Sequence, residues 1–213
     1  HAHARIKSID TSKAEALPGV RVVVTCQDFP KDGASEDVQW QRDNILAGGK
    51  ALYRGHAIAA VAAANPHLAE EAVGLIDVDY EVLPSTVTVL DAMKDDAPIL
   101  HESLTTDELG QKTNKVSNIA QHFQHVKGDV EKGMKSADVV VEREFHTKTV
   151  HQGYIEPQNA TALWNNDGRL HIWTSTQGSF GVRDNCAKML DLPVSQIRVV
   201  PMEIGGGFGG KID

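Results

Sequence analysis

Five glycines occupy six consecutive positions in Ile204-Gly205-Gly206-Gly207-Phe208-Gly209-Gly210-Lys211, directly after the apolar stretch Gln196–Met202. Backbone stripped of side chains lets successive N–H groups close on an anionic ligand, which is what cofactor and phosphate sites require. The run therefore reads as a cofactor cradle. Two other patterns overlap it. Gly205, Gly207 and Gly210 satisfy G-x-G-x-x-G, and Gly205, Gly210 and Lys211 satisfy the first part of G-x-x-x-x-G-K-[ST]. Each lacks a partner it needs. A P-loop requires a hydroxyl after the lysine to hold Mg²⁺, and position 212 is Ile. A dinucleotide fingerprint requires an acidic residue about 20 positions further on, and the sequence given ends at Asp213.

Other residues with chemical potential read more plainly. His151 and Glu156 could suggest acid–base work, but with ten histidines in the chain both are read as hydrogen-bonded structural groups. His122 and His125 lie three apart with no further ligands nearby, so they are read as surface histidines rather than a metal site. Tyr154, Trp164 and Trp173 fall in strand-like segments and are read as core. Cys186 is read as a small buried hydrophobe.

The bulk properties narrow the class. A chain of 213 residues with 41% hydrophobic residues can hold one large or two small domains. A formal net charge of −8 and a pI near 5.6 exclude the basic face that non-specific nucleic-acid binding needs. Cys26 and Cys186 lie far apart and suggest neither a zinc site nor a disulfide framework, so a reducing, cytoplasmic setting is expected. No apolar run approaches the roughly 20 residues of a membrane-spanning helix. The first residue is His1 and the glycine run stands almost at the end; the chain is expected to be part of a longer polypeptide or assembly.

These groups must be positioned by regular elements. Val20–Thr25, Ile58–Ala63 and Val78–Val82 read as strands. Between the last two, Asn65-Pro66 opens a helix with Leu68, Ala72, Leu75 and Ile76 on one stripe. Cys26–Gly49 reads as mostly loop, and Thr105–Asn118 as polar linker. Asp129 caps a short helix through Ala137, followed by a strand at Val139–Phe145. Ala160–Trp164 and Leu170–Thr174 form a hairpin about Asn165-Asn166-Asp167-Gly168. Phe180–Leu190 is helical and Gln196–Met202 is a final strand.

Three segments together resemble the molybdenum-cofactor-binding large subunit of the xanthine dehydrogenase and aldehyde oxidase family, which includes aerobic carbon monoxide dehydrogenase. They are Gln152-Gly153-Tyr154-Ile155-Glu156-Pro157-Gln158-Asn159-Ala160, Trp173-Thr174-Ser175-Thr176-Gln177-Gly178, and the glycine run. His3-Ala4-Arg5-Ile6, Leu17-Pro18-Gly19-Val20 and Tyr53-Arg54-Gly55-His56-Ala57-Ile58-Ala59-Ala60-Val61 resemble the α/β hammerhead domain of the same subunits.

The resemblance implies an α+β chain. A hammerhead-like α/β domain would span 1–105, a linker 106–127, and the first part of a mixed molybdopterin-binding domain 128–213. It implies part of a molybdenum hydroxylase, an enzyme that oxidises a carbonyl or heteroaromatic substrate with water-derived oxygen and is inactive as this chain alone. Electrons would pass to an iron–sulfur (2Fe–2S) and an FAD subunit, and further molybdopterin-binding polypeptide would complete the site. The expected cofactor is molybdenum–molybdopterin, the cytosine dinucleotide being one form it could take, with the metal held by the pterin dithiolene and by no side chain. Gly206, Gly207, Phe208 and Gly209 match the loop that approaches the pterin, with Phe208 buried to exclude water. Gln177 matches the glutamine whose NH₂ donates toward an oxygen ligand of the metal. The purine-oxidising members carry a glutamate where this chain has Ile212, so xanthine is disfavoured. A P-loop-like nucleotide binder and a non-catalytic assembly module of a multisubunit oxidoreductase stand as the alternatives.

Overall fold

The computed structural model describes residues 1–30 and 34–212; positions 31–33, inside the stretch read as loop, and 213 lie outside the described residues. His3–Glu81 together with the chain from Val150 onward make one compact unit, and Val82–Thr149 make another.

In the first unit, β1 (Ala4–Asp10) leads through a one-turn helix α1 (Ser12–Glu15) into β2 (Val20–Thr25). The helix α2 (Glu36–Ile45) lies where loop was expected. It is a polar helix with no apolar stripe, begun by Ser35, whose hydroxyl accepts from Val38 N at 3.3 Å, and by Glu36 and Asp37 in the first turn. Then follow β3 (Lys50–Ala51), β4 (Ala59–Ala63), α3 (Pro66–Val73) and β5 (Asp77–Val82). Asn65 caps α3 by accepting from Leu68 N at 3.0 Å, with proline at the first helical position as read. β1 lies between β3 and β5, and β2 pairs antiparallel with β4. Ala14, Val23 and Ala72 are buried together, with Leu17, Val20, Val61, Leu75 and Ile76 packed against them.

The second unit holds α4 (Val89–Ala92), β6 (Thr105–Glu108), β7 (Gln111–Val116), β8 (Gln121–His122) and α5 (Val130–Ser136). The stretch read as linker is thus a three-stranded sheet in the order β7-β6-β8. Its hairpin turns through Leu109 and Gly110, both at positive φ, a pair that does not carry the usual Asn-Gly signature. Asp129 caps α5 as expected, accepting from Lys132 N at 2.9 Å. Val139–Phe145 is not a strand. Its residues are exposed, and no neighbouring strand among the described residues offers them a ladder.

The chain then returns to the first unit as β9 (Ala160–Trp164), β10 (Leu170–Thr174), α6 (Ser179–Leu190) and β11 (Ile197–Pro201). The β9–β10 hairpin closes as read, with Gly168 N bonded to Asn165 O at 3.0 Å and Gly168 at φ +81°. β10 is central, antiparallel to β9 and parallel to β11, with Leu170 opposite Ile197 and Thr174 opposite Pro201. Parallel neighbours need a crossover, and α6 supplies it. Leu170, Ile172, Ala187 and Ile197 form the buried cluster beneath, with Cys186, Leu192 and Val199 against it. Burial pushes the Cys186 thiol up, as expected of a small apolar filler. Trp164, read as core, is exposed.

Candidate functional site

Because β10 and β11 run in parallel, the segments that follow them leave the sheet at the same edge. After β10 comes Ser175-Thr176-Gln177-Gly178, and after β11 comes the glycine run. Gln177 N donates to Lys211 O at 2.6 Å, and Thr176 Oγ1 donates to the same carbonyl at 3.2 Å. Gln177 Oε1 accepts from Gly209 N and from Lys211 N, both at 3.2 Å. With its oxygen engaged twice, the amide's remaining donor, Nε2, is left for an outside acceptor.

Gly206 lies at φ +94° and Gly209 at φ +89°, and Phe208 at φ +50°. The left-handed region suits glycine but costs a non-glycine residue about 1 kcal/mol, so Phe208 is held there by its surroundings. A Cβ at position 207 would collide with the Gln177 amide, and one at 206 would come within 3.1 Å of Tyr154 Cβ. The N–H groups of Gly205, Gly209, Gly210 and Lys211 are bonded to Glu156, Gln177, Gly207 and Gln177 in turn. Those of Gly206, Gly207 and Phe208 meet no acceptor among the described residues. Three successive donors without an acceptor, the first two on residues that carry no side chain, suit anionic oxygen or sulfur. The structure thus brings Gln177 against the glycine run, and it leaves Phe208, expected to be buried, 74% exposed.

A second layer escaped the sequence. The Lys211 side chain is fully buried, its ammonium paired with Glu156 Oε2 and donating to Ser175 Oγ at 3.4 Å, 5.0 Å from the centre of the Tyr154 ring. Glu156 Oε2 also accepts from Gly205 N at 2.7 Å. The hydrogen bond from Lys211, then that from Gly205, holds the Glu156 carboxyl below the usual range. Gln158 Nε2 donates to Gly210 O and to Tyr154 Oη, each at 3.0 Å. The segment Tyr154–Gln158 is therefore the template against which the glycine loop is shaped. A signal for this was present in the lone charged residues Glu156 and Lys211, each standing in an otherwise uncharged motif.

The buried lysine also separates this loop from a P-loop, whose lysine must reach phosphate. His122, read as a surface residue, is exposed on β8 and pairs with Glu108 at 2.5 Å. Among the described residues no cluster of three metal-ligating side chains exists.

Comparison with known proteins agrees along almost the whole chain. Residues 1–84 match the family described as aldehyde oxidase and xanthine dehydrogenase, a/b hammerhead domain, and residues 111–213 match the molybdopterin cofactor-binding domain. The nicotinate dehydrogenase large molybdopterin subunit of Eubacterium barkeri is 34% identical over 99% of this chain and 46% of its own. The carbon monoxide dehydrogenase large chain of Afipia carboxidovorans is 34% identical over 100% of this chain and 27% of its own. A crystal structure of Cu,Mo-CO dehydrogenase superposes with a TM-score of 0.79 at 32% identity, covering 100% of this chain and 27% of that one. The chain thus spans less than half the length of these relatives. With its hammerhead part followed by a molybdopterin-binding part, it belongs to the molybdenum-cofactor-binding large-subunit family of xanthine dehydrogenase, aldehyde oxidase and carbon monoxide dehydrogenase.

Proposed function

We propose that this chain supplies a cofactor-cradling part of a molybdenum hydroxylase, with Gln177, Gly206, Gly207, Phe208 and Gly209 in contact with molybdenum–molybdopterin. The observation that carries the reading is the row of free N–H groups at Gly206, Gly207 and Phe208 beside the outward Gln177 donor. A pterin dithiolene with its phosphate is anionic and rich in acceptors, and these donors fit it. When bound, the molybdenum centre supplies the redox chemistry that couples substrate oxidation to water-derived oxygen. This chain's own residues bind and orient. The loop backbone fixes the pterin, the Gln177 NH₂ donates toward an acceptor on the metal side, and the exposed Phe208 ring offers an apolar wall to whatever packs on the loop.

The hammerhead part is taken as 1–105 and the cofactor part as 128–213. The partners are the remaining molybdopterin-binding polypeptide, an iron–sulfur (2Fe–2S) subunit and an FAD subunit, in a cytoplasmic complex, and the isolated chain is inactive. Among the described residues no helix is long and apolar enough to cross a membrane. Ile212 offers no hydrogen bond to a purine, which favours an aldehyde, another heteroaromatic or a smaller carbonyl substrate over xanthine. The test is to purify the complete protein with its natural partners and measure molybdenum and pterin released on denaturation. One pterin per chain is expected, and its absence from an otherwise folded complex overturns the reading.

A further inference from the structure

We propose that Glu156 and Lys211 form an ionic clasp that joins the two ends of the glycine loop and thereby sets the direction of its three free N–H groups. Glu156 is a positioning residue in this scheme and touches neither cofactor nor substrate. The proposal rests on the cofactor reading above only for its consequence, since the clasp itself is a matter of this chain's geometry.

The loop begins at Gly205 and ends at Lys211, and one carboxylate oxygen, Glu156 Oε2, accepts from both: from the backbone of the first at 2.7 Å and from the ammonium of the last. Between them lie four glycines, with little intrinsic preference for any one backbone shape, and Phe208. Fixing both ends on a single atom closes the loop into a ring. The carboxylate is itself held by its place in the Tyr154–Gln158 template, whose Gln158 side chain secures Gly210 O. Gln177 grips the same loop from the other side through Gly209 and Lys211.

The two partners are unequally placed. The Lys211 side chain is 0% exposed, while that of Glu156 is 26% exposed. A fully buried ammonium must keep its counter-charge, whereas a carboxylate at the surface can be solvated when its partner is lost. The position of Glu156 is thus dictated by a charge that has nowhere else to go. The lowered carboxyl of Glu156 is consistent with this dependence.

The experiment uses the complete protein in its natural complex, with Glu156→Gln, Lys211→Met and the double variant. Amide hydrogen exchange is followed at Gly209, Gly210 and Lys211, which bond to Gln177 and Gly207 rather than to Glu156, and pterin content is measured alongside. Each single variant should speed exchange at these amides by about tenfold or more, with α6 amides unchanged and pterin content reduced. The double variant should add little, because the same tie is already gone. Lys211→Met removes the buried charge and so keeps the chain folded even if Glu156→Gln does not. Wild-type exchange rates in the loop of Lys211→Met, or acceleration spread evenly into α6, overturn the clasp. A wild-type complex free of pterin would instead overturn the cofactor reading, and the exchange rates would still decide the clasp.

Discussion

Nη2 of Arg42 donates to the carbonyl of Met189 at 2.9 Å and to that of Lys188 at 3.2 Å, so a residue of α2 closes the last turn of α6. Its other terminal nitrogen donates to Pro30 O, and the residue is only 2% exposed. A helix C-terminus leaves carbonyls unpaired, and a buried guanidinium satisfies them with charge-assisted bonds. Arg42→Met should lower stability by about 3 kcal/mol, read as a shift in the denaturant midpoint at unchanged slope. Arg42→Lys should recover only part of this, because a point charge cannot fork to three carbonyls. A loss too small to measure in Arg42→Met would show that the carbonyls find water instead.

Gly207→Ala and Gly209→Ala should separate ligand contact from backbone strain. A methyl at 207 must displace the Gln177 amide and break its two hydrogen bonds, whereas one at 209 meets nothing within 4 Å and suffers only the positive φ. Gly209→Ala should cost about 1 to 2 kcal/mol of stability. Gly207→Ala should lose more bound pterin than Gly209→Ala in the complete complex, and equal pterin content in the two would contradict the cradle.

Gln177→Glu keeps an oxygen for the Gly209 and Lys211 N–H groups but removes the outward NH₂. Its unfolding midpoint should stay close to wild type while turnover of the complex falls. Gln177→Ala leaves both N–H groups without that acceptor and should also lose about 1 kcal/mol of stability. Unchanged molybdenum content and turnover in Gln177→Ala would remove Gln177 from the site.

The Glu156 carboxyl is held below its ordinary value by Lys211 and Gly205. A group whose folded value is depressed contributes stability above its unfolded value, near pH 4.3 for a free glutamate as a rough guide, and loses it as pH falls through the folded one. The difference in melting temperature between wild type and Glu156→Gln should therefore be constant at neutral pH and shrink as the solution is acidified below that region. A difference that widens on acidification would mean that the carboxylate is not the favoured form.

Patterned apolar segments were readable in advance. Val20–Thr25, the Asn65-Pro66 helix start and the Asn165–Gly168 hairpin each combine a hydrophobic period with turn or cap chemistry, so local signals agree with the fold. The glycine run stood out because close backbone approach and positive φ restrict residue type, whereas Gln177 was picked out by resemblance alone. What escaped was polar or distant. α2 and the β7-β6-β8 sheet lack an apolar period, and Val139–Phe145 has the composition of a strand without a neighbour to pair with. Glu156 and Lys211 stand 55 positions apart, and Arg42 stands 147 from Met189. No local propensity reports such pairings, because they come into being only when the chain closes on itself.

The residue-for-residue alignment of Leu170–Thr174 with Ile197–Pro201 has a reach beyond the sheet. Sliding β10 by a single position would carry Gln177 about 3.3 Å along the loop and would turn Ile172 out of the interior. The placing of Gln177 against the glycine run is consequently encoded in how two rods are phased. Substitutions under the sheet can shift that placing as surely as changes in the loop itself.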